Sequence, residues 1–136
     1  PRHVEILNRR VKFREPFRPF CPSLLEEGRG FYLDGGRAEE FMTTSFRASP
    51  AALERVPAAV HVDGTVRPQT VRRAANPRFW ELLEGFGALT GDALLLDTSF
   101  NLAGEPLVLG PSDAIRCFFD SGLDALVLDR FLLTKT

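Results

Sequence analysis

The chain has 136 residues, 44% of them hydrophobic, and a formal net charge of -1. That suffices for one domain with a real core and gives no global attraction to nucleic acid or an anionic membrane. Its two cysteines, Cys21 and Cys117, lie far apart without metal-ligand spacing, and no apolar run reaches the roughly 20 residues of a membrane span. A reducing, cytoplasmic setting is therefore expected, with no disulfide scaffold and no zinc site.

The pattern from Arg2 to Arg10 predicts a short helix with Val4, Ile6 and Leu7 inward. Lys12–Phe20 follows as extended chain, because Pro16 and Pro19 disfavour helical geometry at Glu15 and Arg18. Cys21–Leu25 is a strand, and 26–36 a polar, glycine-rich, mobile loop. Phe41–Ala48 is a strand by its Thr and Phe content. Ser49 and Pro50 start a short helix to about Val56, and Val60–Val71 is β-rich.

Asn76 and Pro77 begin the clearest helix, which runs to Leu89. Phe79, Leu82, Leu83 and Phe86 form its apolar stripe, with Trp80 packing beside it. Ala93–Leu96 reads as a buried strand. Pro111–Ser121 is a helix with Ile115, Phe118 and Phe119 inward, Cys117 as inert packing and Gly122 as its C-terminal cap. Ala125–Leu128 and Phe131–Leu133 close the chain as strands. The chain starts at Pro1 rather than at a methionine and shows no secretory leader, as expected of a piece of a longer protein. The sum is a single α/β domain, with α+β as the alternative, spanning 1–136.

Three polar constellations carry the chemistry. Lys12, Arg14 and Arg18 place three cations in seven residues, and guanidinium forks and an ammonium suit phosphate oxygens. The only other lysine is Lys135, so Lys12 is not part of a lysine-rich surface. In the segment 61–71, one continuous strand would align His61, Asp63, Thr65, Arg67 and Gln69 on one face. The Asp63-Gly64 pair instead favours a hairpin that pairs Val62 with Thr65, and Asp63 then serves the turn rather than a metal. Either way Arg67, held extended before Pro68, is the candidate ligand, and His61 alone reads as structural. Thr98, Ser99 and Asn101 follow a buried strand and offer short hydrogen-bonding groups for an oxyanion or phosphate. No glycine-rich phosphate loop, nucleophile elbow or His/Cys metal cluster is present.

Taken together, several motifs resemble the C-terminal part of the NodU/CmcH-type O-carbamoyltransferases. They are Leu7-Asn8 into Lys12–Phe20 and Pro22-Ser23, then His61–Val71 and Asn76-Pro77-Arg78-Phe79. Thr98-Ser99-Phe100-Asn101 with Gly104-Glu105-Pro106 and Pro111–Phe118 complete the set in family order. The resemblance implies a YrdC-like fold, a mixed twisted sheet with flanking helices. It implies that this part consumes ATP, with Mg²⁺, and carbamoyl phosphate to make carbamoyl-adenylate. A separate N-terminal Kae1-like domain, which holds any metal site, then transfers the carbamoyl group to an acceptor hydroxyl.

By motif position Lys12, Arg18, Arg67 and Ser99 match the residues of the adenylate site. Arg14, Thr65, Thr98, Asn101 and His61 are expected beside the substrate or nucleotide. Cys21 stands where relatives carry a smaller residue and reads as packing. YrdC-like domains also occur in tRNA modification, so an RNA-binding module is the alternative reading, and a purely structural domain a third. The mild net charge and the lack of an exposed aromatic platform argue against nucleic acid.

Overall fold

A computed structural model describes residues 2–135. Among them helices and strands mix in an α/β arrangement with a mixed sheet and flanking helices, as expected from the sequence. The chain divides into two compact units, Pro19–Thr98 on one hand and Pro1–Arg18 with Ser99–Thr136 on the other.

The Pro19–Thr98 unit is built on a three-stranded sheet, β1 (Cys21–Leu25), β4 (Gln69–Val71) and β5 (Leu94–Asp97), in the order β4-β1-β5. β1 runs parallel to β4, with Ser23 opposite Gln69, and antiparallel to β5, with Cys21 opposite Asp97. Period-two alternation sends Leu24 and Leu94 to one face, where they join Tyr32, Leu33, Ala52, Ala59 and Val66 in the main core. The other face carries Leu25, Val71 and Leu95, and these pack against Trp80 and Leu83 of α4 (Pro77–Thr90). On that same face, toward the start of β1, the pattern turns polar: Cys21, Ser23, Gln69 and Asp97.

Several expected elements fold differently. Residues 26–36 are not a polar loop: a single 3-10 turn leads into α2 (Arg29–Tyr32), which delivers Tyr32 and Leu33 to the core. Burying those two side chains, worth about 1.5–3 kcal/mol each, outweighs the helix penalty of Gly30, about 1 kcal/mol. The Tyr32 hydroxyl donates to Asp92 Oδ1 at 3.0 Å, and burial together with this carboxylate pushes its pKa up to about 12. Arg55, at the end of α3 (Pro50–Arg55), forks onto the same carboxylate at 2.9 and 3.0 Å.

In 41–48 only β2 (Phe46–Arg47) is strand, paired with β3 (Thr65–Val66). The Asp63-Gly64 hairpin is replaced by a turn that brings His61 rather than Val62 back to Thr65. His61 N–H donates to the Thr65 carbonyl, Gly64 takes a φ of 76°, and Asp63 Oδ1 accepts from the Thr65 N–H. β3 then pairs with β2, so 61–71 is not one strand, and 61–65 closes as a three-residue turn rather than the expected two-residue hairpin. Helix α4 starts as predicted, with the Asn76 side chain accepting from the Phe79 N–H and Pro77 in its first turn. Its stripe is rotated, however. Trp80 and Leu83 are buried while Leu82 is 57% exposed, because the larger indole takes the place against Val71 and gives its N–H to Glu27 at 2.8 Å.

The second unit joins both ends of the chain. Helix α1 (Arg2–Leu7) stops short of Arg10 and widens into a π-type turn over Asn8–Lys12, so Lys12 is helical rather than extended, and Ile6 is exposed. The turn ends at Phe13 with φ 47°, a left-handed conformation that costs a non-glycine residue roughly 1–3 kcal/mol. Of the phenylalanines in 12–20, Phe20 is buried while Phe13 and Phe17 are exposed.

Helix α5 (Pro111–Asp120) and the hairpin of β6 (Ala125–Leu128) with β7 (Phe131–Thr134) enclose a small core of Ala114, Phe118 and Leu126. Ile115 and Phe119 are exposed, so the buried stripe is Ala114, Cys117 and Phe118. Gly122 serves a close approach rather than a cap. Its N–H donates to the Arg10 carbonyl at 2.9 Å, and a Cβ there would meet that oxygen at 2.6 Å. The contact supplies a donor to a carbonyl that the widened helix end leaves without an intrahelical partner.

Candidate functional site

In the unit formed by the chain ends, Asn8 is the organising residue that sequence reasoning missed. It is fully buried, and its Nδ2 donates to the carbonyls of Pro16 at 3.1 Å and Arg18 at 2.8 Å. Its Oδ1 accepts from Arg14 Nε at 2.7 Å. One side chain thus folds 14–18 back on the helix end, with a tight turn at 15–18 in which Pro16 takes a favoured position. The signal in the sequence was an asparagine ending an amphipathic helix just before a cationic, proline-punctuated run.

The fold-back places Lys12 under the loop that follows Thr98. Lys12 is 5% exposed, and its Nζ donates to the carbonyls of Ser99 and Asn101, both at 2.7 Å. It also reaches Asn101 Oδ1 at 2.8 Å and Ser99 Oγ at 3.3 Å. Ser99 Oγ in turn donates to Asn101 Oδ1 at 2.7 Å, and Asn101 Nδ2 to the Glu105 carbonyl at 2.8 Å. All four oxygens around the ammonium are neutral. Burial, and then the nearby guanidinium groups of Arg14 and Arg18, lower the pKa of Lys12. A desolvated cation beside two others, with no carboxylate among these four acceptors, is an environment that an added anion would relieve. Ser99 itself is exposed, and the Arg18 side chain is exposed with Glu15 at 3.8 Å.

In the Pro19–Thr98 unit Arg67 is exposed and lies against β1. Its Nε and Nη2 point at the sulfur of Cys21, at 3.2 and 3.1 Å. Beside them Ser23 Oγ lies 2.7 Å from Asp97 Oδ2 and 3.0 Å from Gln69 Oε1, and Gln69 Nε2 donates to the Glu40 carbonyl. The Thr65 hydroxyl lies 2.7 Å from Asp63 Oδ1 and 3.3 Å from His61 Nδ1, while His61 Nε2 is buried with no partner among the described residues. Thr98, the last residue of this unit, is exposed. Lys12, Arg14, Arg18, Ser99 and Asn101 therefore belong to one unit, and His61, Thr65, Arg67 and Thr98 to the other.

Near the β4 edge a pocket of about 170 Å³ is lined by Glu40, Phe41, Gln69, Arg72 and Phe79, and Arg72 pairs with Glu40 across it. Among the described residues no group of three His, Cys, Asp or Glu side chains is placed to hold a metal, and no helix is long and apolar enough to cross a membrane.

These features define an α/β protein with cations held over polar loops. A family model described as Carbamoyltransferase C-terminus matches residues 1–135. Nodulation protein NolO of Bradyrhizobium diazoefficiens is 43% identical over 132 residues, covering 95% of this chain and 24% of that protein. Nodulation protein U of Rhizobium tropici is 38% identical over 135 residues, 99% of this chain and 23% of the relative. An uncharacterized protein of Methanocaldococcus jannaschii is 38% identical over 135 residues, 99% and 22% of the two chains. The chain belongs to the carbamoyltransferase C-terminus family, and it spans about a quarter of the length of the curated relatives it matches.

Proposed function

We propose that this chain is the part of an O-carbamoyltransferase that binds ATP and carbamoyl phosphate and forms carbamoyl-adenylate. A separate N-terminal Kae1-like domain of the same polypeptide then passes the carbamoyl group to an acceptor hydroxyl. The observation that carries the reading is the Lys12 ammonium, buried under Ser99 and Asn101 on neutral oxygens, with Arg14 and Arg18 adding positive charge nearby. Two separate motifs of the family meet there, and their sum is a cationic, hydrogen-bonding surface.

In this reaction water hydrolyses carbamoyl phosphate to carbamate and inorganic phosphate, and a carbamate oxygen then attacks the α-phosphorus of ATP. The new P–O bond displaces pyrophosphate, and negative charge develops on phosphate oxygens. Positioning and charge stabilisation supply the catalysis, so guanidinium and ammonium groups are worth more here than a general base. Lys12 holds the 99–101 loop and contributes its charge through it. Ser99 presents a hydroxyl. Arg18 and Arg67 are exposed and offer donors that match phosphate oxygens. Thr65, Thr98 and His61 complete the polar side chains assigned to substrate.

The test is titration calorimetry of the complete polypeptide with magnesium-ATP, together with pyrophosphate–ATP isotope exchange in the presence of carbamoyl phosphate. Arg67→Ala is expected to weaken ATP binding at least about tenfold, the value of a lost charge-assisted bidentate contact. Lys12→Ala is expected to abolish exchange. Wild-type affinity in both variants would remove these residues from an ATP site, and absence of exchange in the wild-type protein would end the adenylate assignment.

A further inference from the structure

The contact between Arg67 and Cys21 goes beyond packing. Both residues precede a proline, Pro22 and Pro68, and both prolines are almost completely buried. A residue before proline is confined to extended backbone, so the two Cα–Cβ directions are fixed from each side. Cys21 sits two residues before Ser23 on β1, and Arg67 two residues before Gln69, the residue that Ser23 faces. The sulfur, 7% exposed as part of its residue, then accepts from both Nε and Nη2. That edge of the guanidinium is the one a carboxylate usually takes. With it held on sulfur, three donor hydrogens remain: one each on Nη1 and Nη2 lie side by side on the end-on edge, and the second Nη1 hydrogen points back toward Cδ.

We infer that Cys21 is a positioning residue: its sulfur holds the Nε side of Arg67 so that the Nη1–Nη2 edge is presented to a phosphate of the substrate. This rests on the nucleotide reading of Arg67 given above. An arginine loses much rotamer freedom when it grips an anion, and a side chain already held by its neighbour loses less. A residue that merely filled space would contribute equally whether or not Arg67 were present. A positioning residue contributes only through it.

A double-mutant cycle in the complete polypeptide separates the two, with the dissociation constant for magnesium-ATP as readout. Cys21→Val keeps an apolar group of similar size without a suitable acceptor. It is expected to weaken binding about fivefold, while Cys21→Ser, which retains an acceptor on a shorter arm, recovers part of that loss. In the Arg67→Ala background Cys21→Val is expected to change nothing further. Equal losses in both backgrounds, or wild-type affinity for Cys21→Val, would overturn the inference while leaving Arg67 a ligand. Should Cys21→Val fail to fold, the same cycle run with Cys21→Ser decides it: coupling to Arg67 supports positioning, additivity refutes it. Wild-type affinity for Arg67→Ala would instead overturn the nucleotide reading, and this inference with it.

Discussion

Two loops in this molecule are each gathered around one buried charge, and they are electrostatic opposites. In the unit formed by the chain ends, the 99–101 loop closes on the Lys12 ammonium. In the other unit, the 39–44 loop closes on the Glu39 carboxylate, which accepts from the Phe41 N–H and the Thr43 hydroxyl. Glu39 also ties that loop to the sheet, since its N–H donates to Thr70 Oγ1 and its carbonyl accepts from the Thr70 N–H. Both charges are 5–7% exposed and both collect neutral partners. The protein nevertheless treats them differently. Hydrogen bonds from Thr44 and from the Phe41 N–H hold the pKa of Glu39 down at about 2, so its charged form is favoured. Burial and neighbouring cations lower that of Lys12, so its charged form is disfavoured. The carboxylate is content as a structural group; the ammonium is left with an electrostatic debt that a bound anion would settle.

The comparison can be broken at either end. Lys12→Ala carries the largest expected effect, because it strands the carbonyls of Ser99 and Asn101 and leaves the Asn101 amide oxygen to the Ser99 hydroxyl alone. A loss of about 3 kcal/mol in the urea midpoint analysis is expected, and survival of wild-type stability would show that the ammonium does not hold the loop. Glu39→Gln comes next, with a smaller drop in melting temperature and a diagnostic pH dependence. A depressed carboxylate contributes stability above its ordinary value of 4.5 and loses it as pH falls through about 2. Hydrogen exchange at the Phe41 amide should thus be level from neutral pH down to about 5, after allowance for intrinsic rates, and accelerate only below that. Glu39→Gln should remove this acid step, and a step persisting in the variant would assign it elsewhere. The smallest effect belongs to Leu82→Ser, on the exposed side of α4: a change within about 0.5 kcal/mol in chemical denaturation, where a larger loss would mean the rotated stripe is wrong.

What could be read from the chain alone divides along physical lines. Local signals worked: the β1 strand and the Asn76-Pro77 helix start both follow from residue types over a short span. Rotation of helices about their axes did not. Trp80 displaces Leu82, and Ala114 with Cys117 displaces Ile115 and Phe119, because the partner surface decides which of two neighbouring stripes is buried. The Lys12–Phe20 segment was misread as extended because its shape is set by Asn8 from outside it, through carbonyls of residues eight and ten positions away. Cys21 read as inert because its partner, Arg67, is 46 positions downstream.

The Gly122–Arg10 contact has a consequence for how the protein is made. During synthesis the turn carrying Lys12 emerges before Pro19–Thr98, but the backbone that docks on it arrives only after the whole of that stretch and helix α5. Pro19–Thr98 is contiguous and can complete its sheet from residues already outside the ribosome. The lysine's unit must wait for distant chain and bear the loop-closure cost of bringing the two ends together. The cationic turn therefore matures after the sheet that carries Arg67.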